Sequence, residues 1–336
     1  MSHNVSSKKS VISALVGNFF ITIIKTIAAI FSGSASMFAE SIHSFADTLN
    51  QTLLLIGLQR SKRPADNSRG YGYGIERFFW SLISACGILF IGAGITIYHS
   101  IDALIHYNRG EVYNFSHFTI VILIISFFVE GISFLIAYSS IKRGQKARQN
   151  GFFANADPVT LAVLYEDGAA VLGVIVVLVA QLLIYFTGNG IYDSLAGIIV
   201  SLILGFLAIT LIFKNYHYII GKSLNEDVKE EIIEFLLEDP CIENISEFKS
   251  VAIDFNIYRI YTTVEWNGSH LYNEIYEKGD LKEEFDSIKD DFGEFTKLMF
   301  KMTDRIPRLV GSHIDKIEKK LKEKFPEIAY IDIEIN

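Results

Sequence analysis

Hydrophobic positions gather into long unbroken runs over the first two thirds of this chain and alternate with polar positions only in the last third. Six runs approach the roughly 20 apolar residues a helix needs to cross a bilayer. They are Val11 to Phe31, Ser36 to Leu58, Phe78 to Ile101, Phe118 to Tyr138, Val159 to Phe186 and Leu195 to Tyr216. Such runs are too long for buried strands, so the pattern predicts an α-helical membrane protein with six transmembrane helices over residues 1–220.

Residues 221–336 follow a different pattern. A helix is expected over Asp227 to Leu237, strands over Phe248 to Asp254 and Ile257 to Trp266, and helical stretches over Asp280 to Phe300 and Val310 to Phe325. A last strand is expected over Ile328 to Ile335; alternation in YRIYTTVEW and AYIDIEIN supports the strands. That order predicts a small C-terminal α+β, ferredoxin-like domain with helices on one face of a sheet. A charge-rich insertion interrupts it at about 274–308.

Charge sets the expected orientation. Lys8 and Lys9 precede the first run, Arg60, Lys62, Arg63 and Arg69 follow the second, and Lys142, Arg143, Lys146 and Arg148 follow the fourth, whereas the opposite connections carry Arg109. By the positive-inside bias both termini and the C-terminal domain face the cytoplasm. That domain carries most of the carboxylates behind the net charge of -8. An acidic tail and basic residues confined to short loops exclude nucleic-acid binding and suit contact with the lipid bilayer. Cys86 and Cys241 fall in separate regions, so neither a disulfide nor a CxxC clamp is expected. The opening MSHNVSSKKS leads into the first run without a small-residue cleavage site. The first helix is expected to stay as an anchor, and the lack of an Arg- and Ser-rich presequence points to a prokaryotic plasma (inner) membrane.

Inside the apolar runs lie Lys25, then Glu40, His43 and Asp47, then Glu130, then Glu166 and Asp167. Each unpaired charge there costs roughly 2.5 to 3.5 kcal/mol on insertion scales, so such residues usually line a pathway. His43 and Asp47, four apart, stack an imidazole and a carboxylate on one helix face, a metal-ligand spacing. A structural hydrogen-bonded pair is the alternative reading, and the second acidic pair weighs against it. Glu166 and Asp167 point roughly 100° apart. Asp167, followed by GAAVLG, is expected to share a site with Asp47, since small residues permit close helix approach; Glu166 is then an outer or proton-handling group. Lys25 is expected to pair with Glu40. His99 and Asp102, near a helix end, read as interfacial polar residues.

The stretch SGSASMFAESIHSFAD resembles the second-helix signature of the cation diffusion facilitators, a family of zinc and related divalent-metal exporters. YGYGIERFFWSLISACGILFIGAG, DPVTLAVLYEDGAAVLG and IYDSLAGIIVSLIL extend the resemblance over nearly the whole chain. YGYGIERFFW, LYEDGAAVLG and the insertion are more similar to the branch containing zinc transporter 9. The resemblance implies a homodimer of six-helix protomers, each exchanging a divalent cation for protons at a tetrahedral site between the second and fifth helices. His43 and Asp47 match the family's HxxxD there, and Asp167 matches the fifth-helix aspartate. The chain departs from the zinc-type pattern where a second histidine is replaced by Val163. One imidazole and two carboxylates, completed by Glu166 or water, form a harder site, which brings manganese and ferrous iron beside zinc. His313 in GSHIDKIEKKL matches a ligand position of the family's cytoplasmic domain, but partner histidines are missing from VEWNG and YIDIEIN. The tail is therefore expected to serve dimerisation, with His270 and nearby carboxylates forming an irregular site at most, and His313 reads as a surface histidine.

The expected function is proton-coupled efflux of zinc from the cytoplasm, with no resident cofactor beyond the transported ion. Manganese or iron export is the alternative, and a membrane-anchored metal sensor or scaffold is a third reading. No HExxH, GxSxG or separate general base points to an enzyme.

Overall fold

The computed structural model describes residues 3–107, 117–145, 158–275 and 280–336. Arg109, Lys146 and Arg148, used above for orientation, lie outside them, as do the side chains of Lys8, Lys9, Arg143 and Val163. The chain divides into two compact units.

The first unit is built from long helices: α1 (His3–Ser32), α2 (Ala35–Arg60), α3 (Glu76–Ile105), α4 (His117–Gln145), α5 (Pro158–Thr187) and α6 (Ile191–Ile220). Among the described residues four stretches are long and apolar enough to cross a membrane: Glu76–Ile105, Phe118–Ile136, Leu164–Thr187 and Ile191–Ile220. The apolar stretch of α1 is shorter, Gly17–Ser32. In α2 the buried face is itself polar, carrying Ser36, Glu40, His43, Ser44, Asp47 and Asn50, which dilutes its apolar character.

Local chemistry sets the helix ends. Gly33 takes the left-handed conformation that glycine adopts without steric cost, closing α1. Ser34 then caps α2, its hydroxyl accepting from the Met37 amide at 3.0 Å. The carboxylate of Asp193, at the start of α6, accepts from the Ala35 amide at 2.6 Å and the Ser34 hydroxyl at 2.7 Å. An anion thus sits on the positive end of the α2 dipole.

The helices pack through small side chains. Ala28, Ala39, Ala46, Ala93, Ala169 and Ala208 lie in one buried cluster, allowing close backbone approach. On α6, Val200, Leu204, Leu207 and Leu211 point into this cluster while Ile199, Leu202, Phe206 and Phe213 are exposed. An apolar exposed face opposite an apolar buried face is the pattern of a helix surrounded by lipid, not water.

The second unit comprises Asp66–Ile75 and Ile220–Asn336. It holds α7 (Glu226–Leu237), β1 (Ile242–Asp254), β2 (Ile257–Trp266), α8 (Gly268–Ile275), α9 (Asp280–Ile288), α10 (Phe292–Lys324) and β3 (Ile328–Ile335). The sheet order is β1-β2-β3, with β1 antiparallel and β3 parallel to β2. Residues of β2 alternate in burial, and Tyr258, Ile260, Thr262 and Val264 form its inward face. The α+β class therefore holds, with three strands among the described residues rather than the four of a β-α-β-β-α-β unit.

Three local expectations change. β1 begins at Ile242, well before Phe248, because its early residues pair with the far end of β2 despite their polarity. The helix α8 lies in a segment with no expected element. The helical stretch expected over Asp280 to Phe300 breaks before Asp291, whose carboxylate accepts from the amides of Gly293 and Glu294 at 2.8 and 3.1 Å and starts α10.

Candidate metal centre

His43 and Asp47 fall on the buried face of α2, with His43 Nε2 3.5 Å from Asp47 Oδ2. Hydrogen bonds do not satisfy this pair: both ring nitrogens of His43 and Oδ1 of Asp47 are buried without a hydrogen-bond partner. Buried polar atoms left this way are rare and call for an explanation such as a ligand.

Glu166 and Asp167 lie on α5, and the roughly 100° between neighbours sends them to different helices. Glu166 Oε1 accepts from the side-chain amide of Asn50 on α2, while Asp167 Oδ2 accepts from the Ser133 hydroxyl on α4 at 2.6 Å. Glu166, expected as the outer group, is thus the α5 carboxylate tied to α2, and its Oε2 is buried and unpartnered. Among the described residues no three of His43, Asp47, Glu166 and Asp167 bring ligand atoms within 4.8 Å of one another.

Lys25 pairs with Glu40 at 2.8 Å, as the antiparallel arrangement of α1 and α2 predicts, and also with Glu130 of α4 at 2.7 Å. The ammonium is fully buried. One charge is therefore shared between two carboxylates, and Glu40 Oε1 and Glu130 Oε2 have no hydrogen-bond partner. The small residues after Asp167 serve the expected close approach: a Cβ at Gly173 would strike Glu40 Oε1. His99 stacks on Phe38 with centroids 4.3 Å apart, and Asp102 pairs with His106 at 3.2 Å, so these two do not form a site together.

Asn50 and Ser133 were not singled out in the sequence. Asn50 lies seven residues after His43 and Ser133 three after Glu130, so helical spacing alone would have placed each on a face with an ionisable group.

In the second unit His313 is buried, not superficial. Its Nε2 lies 2.7 Å from Glu274 Oε2 and 3.7 Å from Cys241 Sγ. Burial, reinforced by Asp239 and Glu274, pushes the Cys241 thiol up to about 11.

Residues 11–220 match the family described as the cation efflux transmembrane domain. This chain belongs to the cation efflux family. The cation efflux chain is 33% identical over 333 residues to "Proton-coupled zinc antiporter SLC30A9, mitochondrial" of Homo sapiens, covering 97% of its own length and 58% of the relative's. The corresponding protein of Xenopus laevis is 34% identical over 324 residues, 95% of this chain and 57% of the relative. "Metal tolerance protein C4" of Arabidopsis thaliana is 33% identical over 340 residues, 98% of this chain and 73% of the relative. The chain thus spans a little over half the length of the first two relatives. These matches place the cation efflux chain in the zinc transporter 9 branch that its helix motifs resemble. Its family consists of integral membrane transporters, not enzymes.

Proposed function

We propose that this cation efflux protein is a proton-coupled divalent-metal antiporter that exports zinc through a site between α2 and α5, with His43, Asp47, Glu166 and Asp167 as its ligand set. The observation that carries the reading is the group of buried, unpartnered atoms on His43, Asp47 and Glu166. Glu40 and Glu130 also keep one unpartnered oxygen each but have the Lys25 ammonium as counter-charge, whereas among the described residues His43, Asp47 and Glu166 form no ion pair with a lysine or arginine. Two of the relatives are named as proton-coupled zinc antiporters, which agrees with zinc as cargo.

Six membrane-spanning helices, α1 to α6, form part of the same reading. Lys25 of α1 and Glu40, His43 and Asp47 of α2 are buried, which is how ionisable side chains are tolerated at membrane depth. The basic loops support a cytoplasmic position for both termini. The resemblance carries a homodimer with it.

The donor set provides the coupling. A divalent cation needs a neutral imidazole and ionised carboxylates, and protons arriving on those groups displace it. Asn50 and Ser133 orient one carboxylate each, leaving the second oxygen to face the cargo. Since the ligand atoms are too spread to hold one ion together, closure of α5 on α2 completes the site, and its reopening to the other side releases the metal. The carboxylate-rich set also favours a second cargo class, manganese or ferrous iron, over a two-histidine site.

The test is metal uptake into proteoliposomes under an imposed pH gradient, comparing zinc, manganese and ferrous iron for the wild type and Asp47→Ala. Zinc flux that follows the gradient and disappears in Asp47→Ala is expected. Faster flux of manganese or iron than zinc would reassign the cargo. Metal bound by the wild type without flux of any ion would sink the transporter reading and favour a membrane-anchored sensor.

A further inference from the structure

The long helices bury an ionisable group that the proposed metal ligands do not include. Lys25 of α1, Glu40 of α2 and Glu130 of α4 are buried and joined through the ammonium, at 2.8 Å to Glu40 Oε2 and 2.7 Å to Glu130 Oε1. With both acids ionised, the group is one positive charge short of neutral. The bonding shows the same deficit: the other oxygens, Glu40 Oε1 and Glu130 Oε2, are buried without a hydrogen-bond partner. Unsatisfied polar atoms are rare in a protein interior, and an unbalanced charge there is costlier still.

We propose that Lys25, Glu40 and Glu130 form a proton-binding site, separate from the metal ligands, which carries one of the protons exchanged for metal. The inference rests on the antiport reading and gives it a second proton carrier. A proton is the cation that suits this group. It needs one oxygen lone pair, turns that oxygen into a hydrogen-bond donor and brings the group to neutrality. A metal ion would need several donors, and the Lys25 ammonium already occupies one oxygen of each carboxylate.

Position couples the group to the cargo. Glu40 precedes His43 by three residues on α2, and Glu130 precedes Ser133, the partner of Asp167, by three on α4. One helical turn separates the two sets on both helices, while among the described residues no hydrogen bond or ion pair joins them. From α5 the uncharged Gly173 meets Glu40, and the ionisable Glu166 and Asp167 belong to the proposed ligand set. From α3 comes His99, stacked on Phe38; on α6, Lys214 lies over the Tyr165 ring and Asp193 binds the start of α2. A divalent ion arriving one turn away repels the proton, and its departure lets the proton return. On zinc binding the carboxylic O–H bond breaks, its electron pair stays on the oxygen and the proton passes to water; nothing is oxidised or reduced.

The experiment counts the protons released per zinc bound when zinc is added to the full chain in detergent, weakly buffered with a pH indicator. Glu130→Gln keeps an acceptor for Lys25 and leaves a neutral Lys25–Glu40 pair. Zinc should still bind, and the release should fall by about one proton per zinc relative to the wild type. Glu40→Gln should give the same loss, and the two losses should not add, because the carboxylates share one proton. If neither single variant folds, Lys25→Met with Glu40→Gln and Glu130→Gln, a neutral group, carries the same test. An unchanged proton count in variants that bind zinc overturns the site. Wild-type protein that binds no zinc would sink both this site and the antiport reading. Zinc-linked proton release with the expected loss in the variants, but no flux in wild-type proteoliposomes, would count against the antiport reading alone.

Discussion

At the scale of the residue, Lys25 is the most consequential charge outside the proposed pathway. It meets Glu40 and Glu130 with no exposure to solvent, so removing it strands two buried carboxylates beside each other. Breaking a buried ion pair by deleting one partner costs about 3 to 5 kcal/mol, whereas replacing the whole group by neutral residues is often tolerated. Lys25→Met is therefore expected to lower the unfolding free energy of the detergent-solubilised protein by that amount. Adding Glu40→Gln and Glu130→Gln should restore most of it in denaturant titrations. If the triple variant is as unstable as Lys25→Met, stranded charge is not the cause and the lysine matters through its packing.

At the scale of the element, the approach of α5 to α2 depends on a missing side chain. A Cβ at Gly173 would collide with Glu40 Oε1, the unpartnered oxygen of the carboxylate whose other oxygen accepts from Lys25. Gly173→Val is expected to cost about 1 to 3 kcal/mol through overpacking and to slow metal flux. Gly131→Ala, where nothing lies within 4 Å of the added Cβ, serves as the control on a neighbouring helix. Thermal unfolding and flux measured together separate the two effects, and equal behaviour of both variants would show that the close approach is not required. The same element scale explains why Glu166 faces α2: a single step along α5 redirects a side chain from one neighbouring helix to another.

At the scale of the whole molecule, the chain enters its second unit twice, first through Asp66–Ile75 and again from Ile220 onward. The first passage is held within that unit by Tyr71, whose ring meets Tyr330 edge-on at 5.1 Å and lies 4.6 Å from the Arg259 guanidinium. A Cβ at Gly74 would collide with the Ile253 carbonyl and the Asp254 side chain. Within this segment Asp66 accepts from the hydroxyls of Ser68 and Tyr73, each at 2.7 Å, and these bonds hold its carboxyl down at about 2. A carboxyl lowered on folding stabilises the turn above its ordinary value of 3.8 and ceases to do so as pH falls toward about 2. Amide exchange at Ser68 and Arg69, corrected for intrinsic rates, should therefore accelerate across that window in the wild type. Asp66→Asn should show the faster exchange already at pH values above it, with no further change; an acid-sensitive profile in that variant would remove Asp66 as the cause.

Local pattern was sufficient for much of this protein. Alternation marked β2 and β3 with their observed limits because a half-buried strand writes its two faces into successive residues. Long apolar runs marked the helical unit, and four residues of spacing put His43 and Asp47 on one face of α2. The pairing of Lys25 with Glu40 was also legible, since consecutive antiparallel helices place their charges side by side. The remaining features depend on chain segments far apart in sequence. Glu130 reaches Lys25 from 105 positions away, Asn50 reaches Glu166 from 116, and Cys241 reaches His313 from 72. Periodicity specifies which face a side chain occupies, but packing alone decides which face of another element it meets. The sequence by itself therefore determined the elements and the donor atoms they carry, while tertiary structure decided which donors share a neighbour and which remain buried without one.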